Sequence, residues 1–293
     1  MKLQLTSIKI ELNNKNDSFN NKEENIDLKR RHRELSGNPQ EGDNINLRQS
    51  IRINTLKGNE KEIISRLKGR GIKLEKIAFL KYGYWADADF SLASTEEYLQ
   101  GFFYIQEAAS QMAVEWLGPK EGELILDCCA SPGGKTSQIA QHMNNKGTLI
   151  ALDIGQRIEK LRNNLERLGV ENCIIYQQDA RYFELPKGIK ADKMLLDVPC
   201  SGNYAIEKDW YKKRTIKDIR TSSRLQKEIV RGAIHNLKKG GTLVYSTCSL
   251  EPEEDEEIVE WVCKEFGMKM ANQRKMWPWK DNVQGFFVST MMF

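Results

Sequence analysis

From about residue 105 onward, short apolar runs alternate with segments of helical periodicity, and this alternation restricts the fold more than any other feature. Five apolar runs have the length of buried strands, at residues 124–126, 149–152, 173–176, 194–196 and 243–245. One intervening helix shows an apolar face formed by Ile158, Leu161, Leu165 and Leu168. Strands that alternate with helices predict an α/β fold with a doubly wound, mostly parallel sheet. Residues 268–270 and 286–288 predict an antiparallel hairpin at one edge of that sheet.

A smaller unit precedes this main domain. Residues 50–56 alternate apolar and polar side chains as a half-buried strand does, residues 59–68 have helical spacing, and residues 77–85 indicate another strand. We therefore expect a small α/β unit over residues 47–104 and the main domain over residues 105–293.

The first part of the chain has a different composition. Residues 1–50 contain nine Asn and a single aromatic residue, Phe19. A polar segment with few apolar side chains cannot bury much surface, which predicts that residues 1–46 are partly disordered. Within it, residues 27–35 are basic and suggest a short helix, with a solvated tail as the alternative.

Composition excludes several classes of protein. The 293 residues are 40% hydrophobic, which suffices for a core without disulfides, and they include no apolar stretch of transmembrane length. The first residues lack the pattern of a secretory signal, so the six cysteines are expected to be reduced and the protein cytoplasmic. The chain has no Cys-x-x-Cys pair and only three His, so no zinc site is expected. We expect a monomer without a membrane partner.

Acidic residues follow four consecutive predicted strands, at the edge where parallel sheets bind ligands. They are Asp127, Asp153, Asp179 and Asp197. Asp127 opens the segment DCCASPGGKT, in which Gly133 and Gly134 permit close approach of a ligand to the backbone. The segment is neither G-x-G-x-x-G nor a Walker A loop, because Cys129 stands where the latter needs glycine. An acid after the second strand suits ribose hydroxyls, and one after the third can accept from an adenine amino group; the alternative is helix capping.

Two cysteines also follow neighbouring predicted strands. Cys200 comes after the fourth strand and Cys248 at the end of the fifth, so both thiols are expected to face one cleft. The contexts of Cys128, Cys173 and Cys263 instead fit small buried side chains. Paired thiols without a nearby His suit addition of one thiolate to an electron-poor ring, with the second thiol assisting its removal. Methylation of a pyrimidine at C5 is such a reaction.

These motifs together identify a resemblance. The chain resembles the Sun-type RNA (cytosine-5) methyltransferases over about residues 50–293, through SIRINTLKG, STEEYLQGFFYIQEAASQM, DCCASPGGKTSQIA, ALDI, QQDAR, LLDVPCSG, LVYSTCSLEPEEDEEIV and GFFV. The joint presence of PCSG and STCS in this order is specific. The resemblance implies a class I methyltransferase fold, S-adenosylmethionine as cofactor and RNA as substrate.

The resemblance also implies roles for individual residues. The cofactor loop would comprise Cys129, Ala130, Ser131, Pro132, Gly133, Gly134 and Lys135. Asp153 would bind the cofactor's ribose, Asp179 its adenine edge, and Arg157 and Asp197 would make further contacts. The family commonly has AAPGGK and DAPCSG, so Ser131 and Val198 are small departures.

For catalysis, the resemblance implies that Cys248 attacks cytosine C6 and that Cys200 helps to release the product. Asp197 would hydrogen-bond the base, and Lys135 would reach the same base.

Two basic stretches indicate where RNA would lie, and the first lies in the small unit at residues 47–104, which is expected to be of RNA-binding type. Residues 52–81 hold nine Lys/Arg and three Glu, a net charge of 9 − 3 = +6, and residues 208–239 hold eleven Lys/Arg and three acids, a net charge of 11 − 3 = +8. The second stretch includes Trp210 and Tyr211, which suit base stacking; a solvated helix face is the alternative for either stretch. The acidic run at residues 251–257 is expected to begin the helix after Cys248.

We expect tRNA more than rRNA as substrate. The competing hypotheses are a catalytically silent RNA-binding protein on this fold, and a methyltransferase acting on small molecules or protein.

Overall fold

The computed structural model describes residues 28–32, 34, 47–207 and 209–293. Most of the segment for which disorder is predicted, residues 1–46, lies outside the described residues. The described part of the predicted helix at residues 27–35 is helical, and we call it α1 (residues 28–32 and 34). It is not a solvated tail, because Leu28 and His32 are buried.

A four-stranded antiparallel sheet forms the first unit, in the order β2-β3-β1-β4. Its strands are β1 (Ser50–Ile53), β2 (Lys73–Lys76), β3 (Gly83–Asp87) and β4 (Phe103–Ile105). Helices α2 (Glu60–Gly69) and α3 (Glu96–Leu99) accompany the sheet. Ile63 and Leu67 of α2 pack against Ile51, Ile53 and Phe103 in the core of this unit.

The predicted strand at residues 77–85 is only partly correct. The observed strand β3 begins at Gly83, and the residues before it form the turn from β2. Ile77 and Leu80 are apolar because they insert into the core beside helix α4 (Ala108–Leu117), not because they belong to a strand. The apolar residues of a buried turn therefore produce a sequence pattern like that of a strand.

A seven-stranded sheet forms the main domain, in the order β10-β11-β9-β8-β5-β6-β7. Its strands are β5 (Leu124–Asp127), β6 (Thr148–Asp153), β7 (Cys173–Gln177), β8 (Ala191–Asp197), β9 (Leu237–Thr247), β10 (Lys269–Met276) and β11 (Phe286–Met292). The pairs among β5 to β9 are parallel, whereas β11 pairs antiparallel with both β9 and β10. The predicted doubly wound, mostly parallel sheet and its C-terminal antiparallel hairpin are confirmed.

Helices cover the sheet and connect its strands. After α4 they are α5 (Gly134–His142), α6 (Arg157–Leu168), α7 (Trp210–Lys213), α8 (Ile216–Ala233), α9 (Glu256–Phe266) and α10 (Pro278–Asp281). The four apolar residues that predict α6 are all buried. Helix α8 begins at a capping box in which Thr215 and Asp218 exchange hydrogen bonds, which satisfies backbone groups that the first turn leaves free.

Within the described ranges, no helix combines the length and apolar character needed to cross a lipid bilayer.

Asn54 joins the small unit to the main domain. Its buried amide Nδ2 donates to the carbonyl oxygens of Gly101 and Leu168, each at 2.8 Å, and so ties the end of β1 to the end of α6. Gly101 has a φ of +79°, and a Cβ atom there would lie 2.1 Å from the Arg167 carbonyl oxygen. Close backbone approach therefore accompanies the hydrogen bonds at this junction.

We predict that Asn54→Ala lowers the free energy of unfolding by roughly 1–3 kcal/mol, because it leaves two buried carbonyl groups without their donor. Urea titration followed by circular dichroism measures this loss. Asn272→Ala is the control, since Asn272 is exposed on β10. Equal unfolding midpoints for the two variants would contradict the role of Asn54.

Candidate active site

Two free thiols meet beyond the ends of β8 and β9. These strands pair in parallel with Asp197 opposite Ser246, so the segments that follow them leave the sheet side by side. The Sγ atoms of Cys200 and Cys248 lie 3.0 Å apart. The predicted adjacency of the two thiols is confirmed by this geometry.

The two thiols differ in acidity. The pKa of Cys248 is lowered, first by the hydrogen bond from Cys200 and further by the Lys135 ammonium, while burial and the Asp197 carboxylate oppose this. The same hydrogen bond, together with burial, raises the pKa of Cys200. The pair therefore favours a thiolate on Cys248 and a thiol proton on Cys200, and the thiolate is the better nucleophile.

Asp197 and Lys135 form an ion pair next to these thiols. The Lys135 Nζ lies 2.7 Å from Asp197 Oδ2, and Ser246 Oγ donates to Asp197 Oδ1 at 2.8 Å. The Lys135 side chain is largely buried, and its ammonium lies 5.2 Å from the centre of the Phe286 ring. The site thus holds a fixed carboxylate and a fixed cation on the side of the sheet where the thiols lie.

Asn203 holds the backbone at Cys248. Its buried Nδ2 donates to the Cys248 carbonyl oxygen at 2.7 Å and to that of Gly285 at 3.2 Å. Asn203 directly follows PCSG. The loop that carries Cys200 therefore also holds the backbone of the loop that carries Cys248. Asn203 is not among the site residues predicted from the sequence, although its position directly after PCSG is a signal that could have indicated it.

The loop between β5 and α5 turns closely against its neighbours. Gly133 has a φ of +102°, a left-handed conformation that glycine adopts without strain. A Cβ atom on Gly134 would lie 2.9 Å from Cε1 of Tyr104, a residue of β4. Ala130 N donates to Leu152 O at 2.9 Å, and Pro132 O accepts from Asn164 Nδ2 at 2.8 Å. Backbone conformation at Gly133 and close packing at Gly134 therefore require the two glycines.

Asp127 is buried at the base of this loop. Thr136 Oγ1 donates to its Oδ2 at 2.7 Å, whereas its Oδ1 has no hydrogen-bond partner within the part of the chain that the structure describes. Burial raises the pKa of Asp127 to about 7, against the lowering effect of Thr136. Cys129, two residues on, is half-buried, and its pKa is also raised by burial.

Asp153 meets the same loop from the end of β6. Its Oδ2 accepts from Ser131 N at 2.8 Å and its Oδ1 from Ile154 N at 2.7 Å. Arg157 Nε lies 3.7 Å from Asp153 Oδ1, and the Arg157 Nη2 donates to Ser131 O at 3.1 Å. The predicted residues Ser131, Asp153 and Arg157 are therefore brought together.

Asp179 is placed differently from the other three acids. It follows β7, the edge strand, where its carboxylate caps a short 3-10 turn and forms an ion pair with Arg181 at 2.8 Å. This ion pair lowers the pKa of Asp179. In the described residues its contacts are with Arg181, not with the loop at residues 129–135.

The acidic run at residues 251–257 differs from its predicted role. Helix α9 begins only at Glu256, so Glu256 and Glu257 alone occupy its first turn. Glu251, Glu254 and Asp255 precede the helix and are fully buried. Three of the six carboxylates of the run therefore pack beneath the loops that carry Cys200 and Cys248, where hydrogen bonds and ion pairs hold them.

Trp210 is also placed differently from its predicted role in base stacking. It is fully buried, and its Nε1 donates to the carbonyl oxygen of Ser201 at 2.8 Å. His32 of α1 stacks on Trp210 with the ring centres 5.4 Å apart. Trp210 is therefore a packing residue beneath the Cys200 loop.

The family comparison covers most of the chain. Residues 114–292 match the family model described as 16S rRNA methyltransferase RsmB/F, and residues 42–108 match the N-terminal domain of 16S rRNA methyltransferase RsmF. These two matches correspond to the seven-stranded and the four-stranded sheets.

Several known proteins are similar in sequence. The ribosomal RNA small subunit methyltransferase F of Vibrio atlanticus is 40% identical over 231 residues, which is 75% of this chain and 48% of that protein. The tRNA (cytosine(72)-C(5))-methyltransferase of Pyrococcus horikoshii is 40% identical over 217 residues, or 69% of this chain and 55% of that protein. The chain thus spans about half the length of these curated relatives.

Solved structures share the fold. A methyltransferase homologue from Pyrococcus horikoshii superposes with a TM-score of 0.75 at 34% identity and covers 88% of both chains. The NSun6 structure from Pyrococcus horikoshii with SFG has a TM-score of 0.75 at 28% identity, covering 84% of this chain and 91% of that one. The RsmB/F model matches more than half of the residues of this chain. The chain therefore belongs to the RsmB/F (Sun-type) family of RNA cytosine-5 methyltransferases.

Proposed function

We propose that this protein transfers a methyl group from S-adenosylmethionine to C5 of a cytosine in RNA, through a covalent bond between Cys248 and C6 of the base. The observation that carries the proposal is the thiol pair, Cys200 and Cys248 with Sγ atoms 3.0 Å apart, next to the Asp197–Lys135 ion pair. A single cysteine is enough to provide the nucleophile. The second thiol is explained by the need to break the bond between that nucleophile and the base after methyl transfer.

The structure contains features that suit the cofactor. Asp127 has a buried Oδ1 that lacks a partner among the described residues. Helix α5 begins at the glycine turn of Gly133 and Gly134 with no side-chain cap from the described residues, and the first N–H groups of a helix have no partner within the helix. Asp153 and Arg157 border the same loop. We propose that the loop at residues 129–135 and these side chains hold S-adenosylmethionine, and that Asp179 contacts its adenine. When bound, the cofactor would supply the methyl group as an electrophile.

The Cys248 thiolate begins the reaction by forming a bond to C6, which shifts the electrons of the C5–C6 double bond toward C5 and makes C5 nucleophilic. Lys135 favours this thiolate electrostatically. Asp197 would hydrogen-bond the exocyclic amino group or the N3 edge of the base, which holds the ring while negative charge moves onto it.

Cys200 completes the cycle. Once Cys248 is bonded to carbon, its sulfur no longer holds the Cys200 proton, and Cys200 can release that proton to water. By this stage C5 has used its electron pair to bond the methyl group and still carries its proton. The Cys200 thiolate takes that proton, the C5–C6 double bond re-forms and the bond to Cys248 breaks. This returns both sulfurs to their starting state, with the Cys200 thiol donating to the Cys248 thiolate.

The RNA substrate is proposed from charge and from the relatives. Basic residues of α7 and α8 follow the Cys200 loop and suit contacts to phosphates. The relatives named above include enzymes of rRNA and of tRNA. The preference for tRNA over rRNA, the cytoplasmic location and the monomeric state stay predictions.

We predict that the purified protein, incubated with labelled S-adenosylmethionine and either tRNA or rRNA, places label in 5-methylcytosine. Nucleoside analysis by mass spectrometry identifies the product and the RNA. Cys248→Ala should show no product, whereas Cys263→Ala should retain activity because Cys263 lies in α9 away from the thiol pair. Folded protein that binds RNA but yields no 5-methylcytosine would favour the silent RNA-binding alternative.

We further predict opposite effects of the two cysteines on adduct formation. Cys200→Ala should accumulate a covalent RNA–protein complex that survives denaturation, because addition proceeds but elimination is blocked. Cys248→Ala should form none, since it lacks the nucleophile. Denaturing gel electrophoresis with labelled RNA measures both, and a complex formed only by Cys248→Ala would exchange the two roles.

A further inference from the structure

Glu254 lies between the two cysteine loops and is bound to both. We propose that Glu254 is a positioning residue, whose carboxylate fixes the distance between the Cys200 and Cys248 sulfurs. The inference rests on the proposed function, in which these two sulfurs act in turn on the same base.

The first attachment is to the loop of Cys200. The backbone N–H of Ser201, the next residue, donates to Glu254 Oε2 at 3.0 Å, and the Ser201 hydroxyl donates to Glu254 Oε1. Gln226 of α8 donates from one Nε2 to both Glu254 Oε2, at 2.8 Å, and the Pro199 carbonyl oxygen, at 3.0 Å. The residues on both sides of Cys200 are therefore held by Glu254 or by its partner.

The second attachment is to the loop of Cys248. The Ser249 hydroxyl donates to Glu254 Oε1 at 3.1 Å, and the backbone carbonyl of Glu254 accepts from the Tyr245 hydroxyl of β9 at 2.7 Å. Four donor groups thus hydrogen-bond the carboxylate, with Ser201 N shared between its two oxygens, and the neighbour of each catalytic cysteine provides at least one of these donors. This carboxylate bridges two loops that no chain segment joins directly.

Hydrogen bonds alone stabilise this carboxylate. Glu254 is fully buried, and no Lys, Arg or His of the described chain forms an ion pair with it, unlike Glu251 and Asp255. Burial raises the pKa of Glu254, whereas the hydrogen bonds from Ser201, Ser249 and Gln226 lower it. A buried carboxylate with four donors and no counter-ion suits the fixing of two backbones more than the supply of a charge.

The geometry makes glutamine an informative replacement. An amide oxygen at the position of Oε2 can accept from Ser201 N and Gln226, and the amide NH₂ at the position of Oε1 can donate to the hydroxyls of Ser201 and Ser249, which accept as well as donate. Glu254→Gln therefore keeps the bridge and removes only the charge, whereas Glu254→Ala removes the bridge.

The test measures the two sulfurs without RNA or cofactor. Diamide is added to the reduced protein, and formation of the Cys200–Cys248 disulfide is followed by peptide mass spectrometry. We expect Glu254→Ala to slow this reaction strongly, Ser201→Ala to slow it less, and Glu254→Gln to restore nearly the wild-type rate. Glu257→Ala is the matched control, since Glu257 is an exposed carboxylate three residues further on.

The same variants are then compared in methyl transfer. A displacement of about 1 Å at reacting groups costs on the order of 100-fold in rate, so we expect kcat of Glu254→Ala to fall by about that factor with an unchanged KM for S-adenosylmethionine. Glu254→Gln should recover most of kcat. Disulfide formation needs neither RNA nor S-adenosylmethionine. It therefore tests the position of the thiols even if the protein methylates a molecule other than RNA.

Two results would overturn the inference. One is a folded Glu254→Ala whose disulfide forms as fast as that of Glu257→Ala. The other is a Glu254→Gln as slow as Glu254→Ala, which would assign the effect to charge. Should Glu254→Ala fail to fold, Ser201→Ala decides, and an unchanged rate in that variant rejects the inference.

Discussion

The parallel pairing of β8 with β9 is the constraint on which the site depends. The register that sets Asp197 opposite Ser246 also sets the starting points of two loops, and each loop carries near its start a cysteine that faces the other. Val198 N still donates to Ser246 O at 3.1 Å, so the pairing extends past the last strand residue toward the thiols. A slip of one residue would turn the side chains of one strand to the opposite face and separate the pair.

Buried polar groups below the sheet edge maintain what the pairing begins. Asn203 fixes the Cys248 backbone, and Glu254 links the neighbours of both cysteines. Asp255 accepts from Thr247 at 2.6 Å and pairs with Lys275 of β10 at 2.9 Å, which connects the end of β9 to the antiparallel hairpin. Such groups cost stability if left unpaired, so the hydrogen bonds and ion pairs that they form favour one arrangement of the loops.

Helix α1 adds a layer from outside the two sheets. Arg31 forms an ion pair with Glu253 at 2.5 Å, and His32 contacts Glu251 and lies 2.8 Å from the Tyr211 hydroxyl. These contacts cover the segment between Cys248 and α9 together with the aromatic residues beneath the Cys200 loop. A polar, Asn-rich stretch of sequence therefore includes a short helix whose partners come from more than 150 residues away.

The alternation of strands and helices, the acids at the strand ends and the two cysteines after neighbouring strands can all be predicted from the sequence. They follow from local periodicity and from the rule that parallel strands end at one edge. Which polar residues support the site depends on the packing of distant segments. The acidic run looked like a helix start and Trp210 like an exposed stacking residue, yet Glu254 and Trp210 are buried against Ser201. Residues 77–85 resembled one strand because burial of Ile77 and Leu80 depends on α4, which lies elsewhere in the chain. Burial and hydrogen-bond partners arise from long-range packing. A local sequence pattern does not show which distant residue covers a side chain or bonds to it.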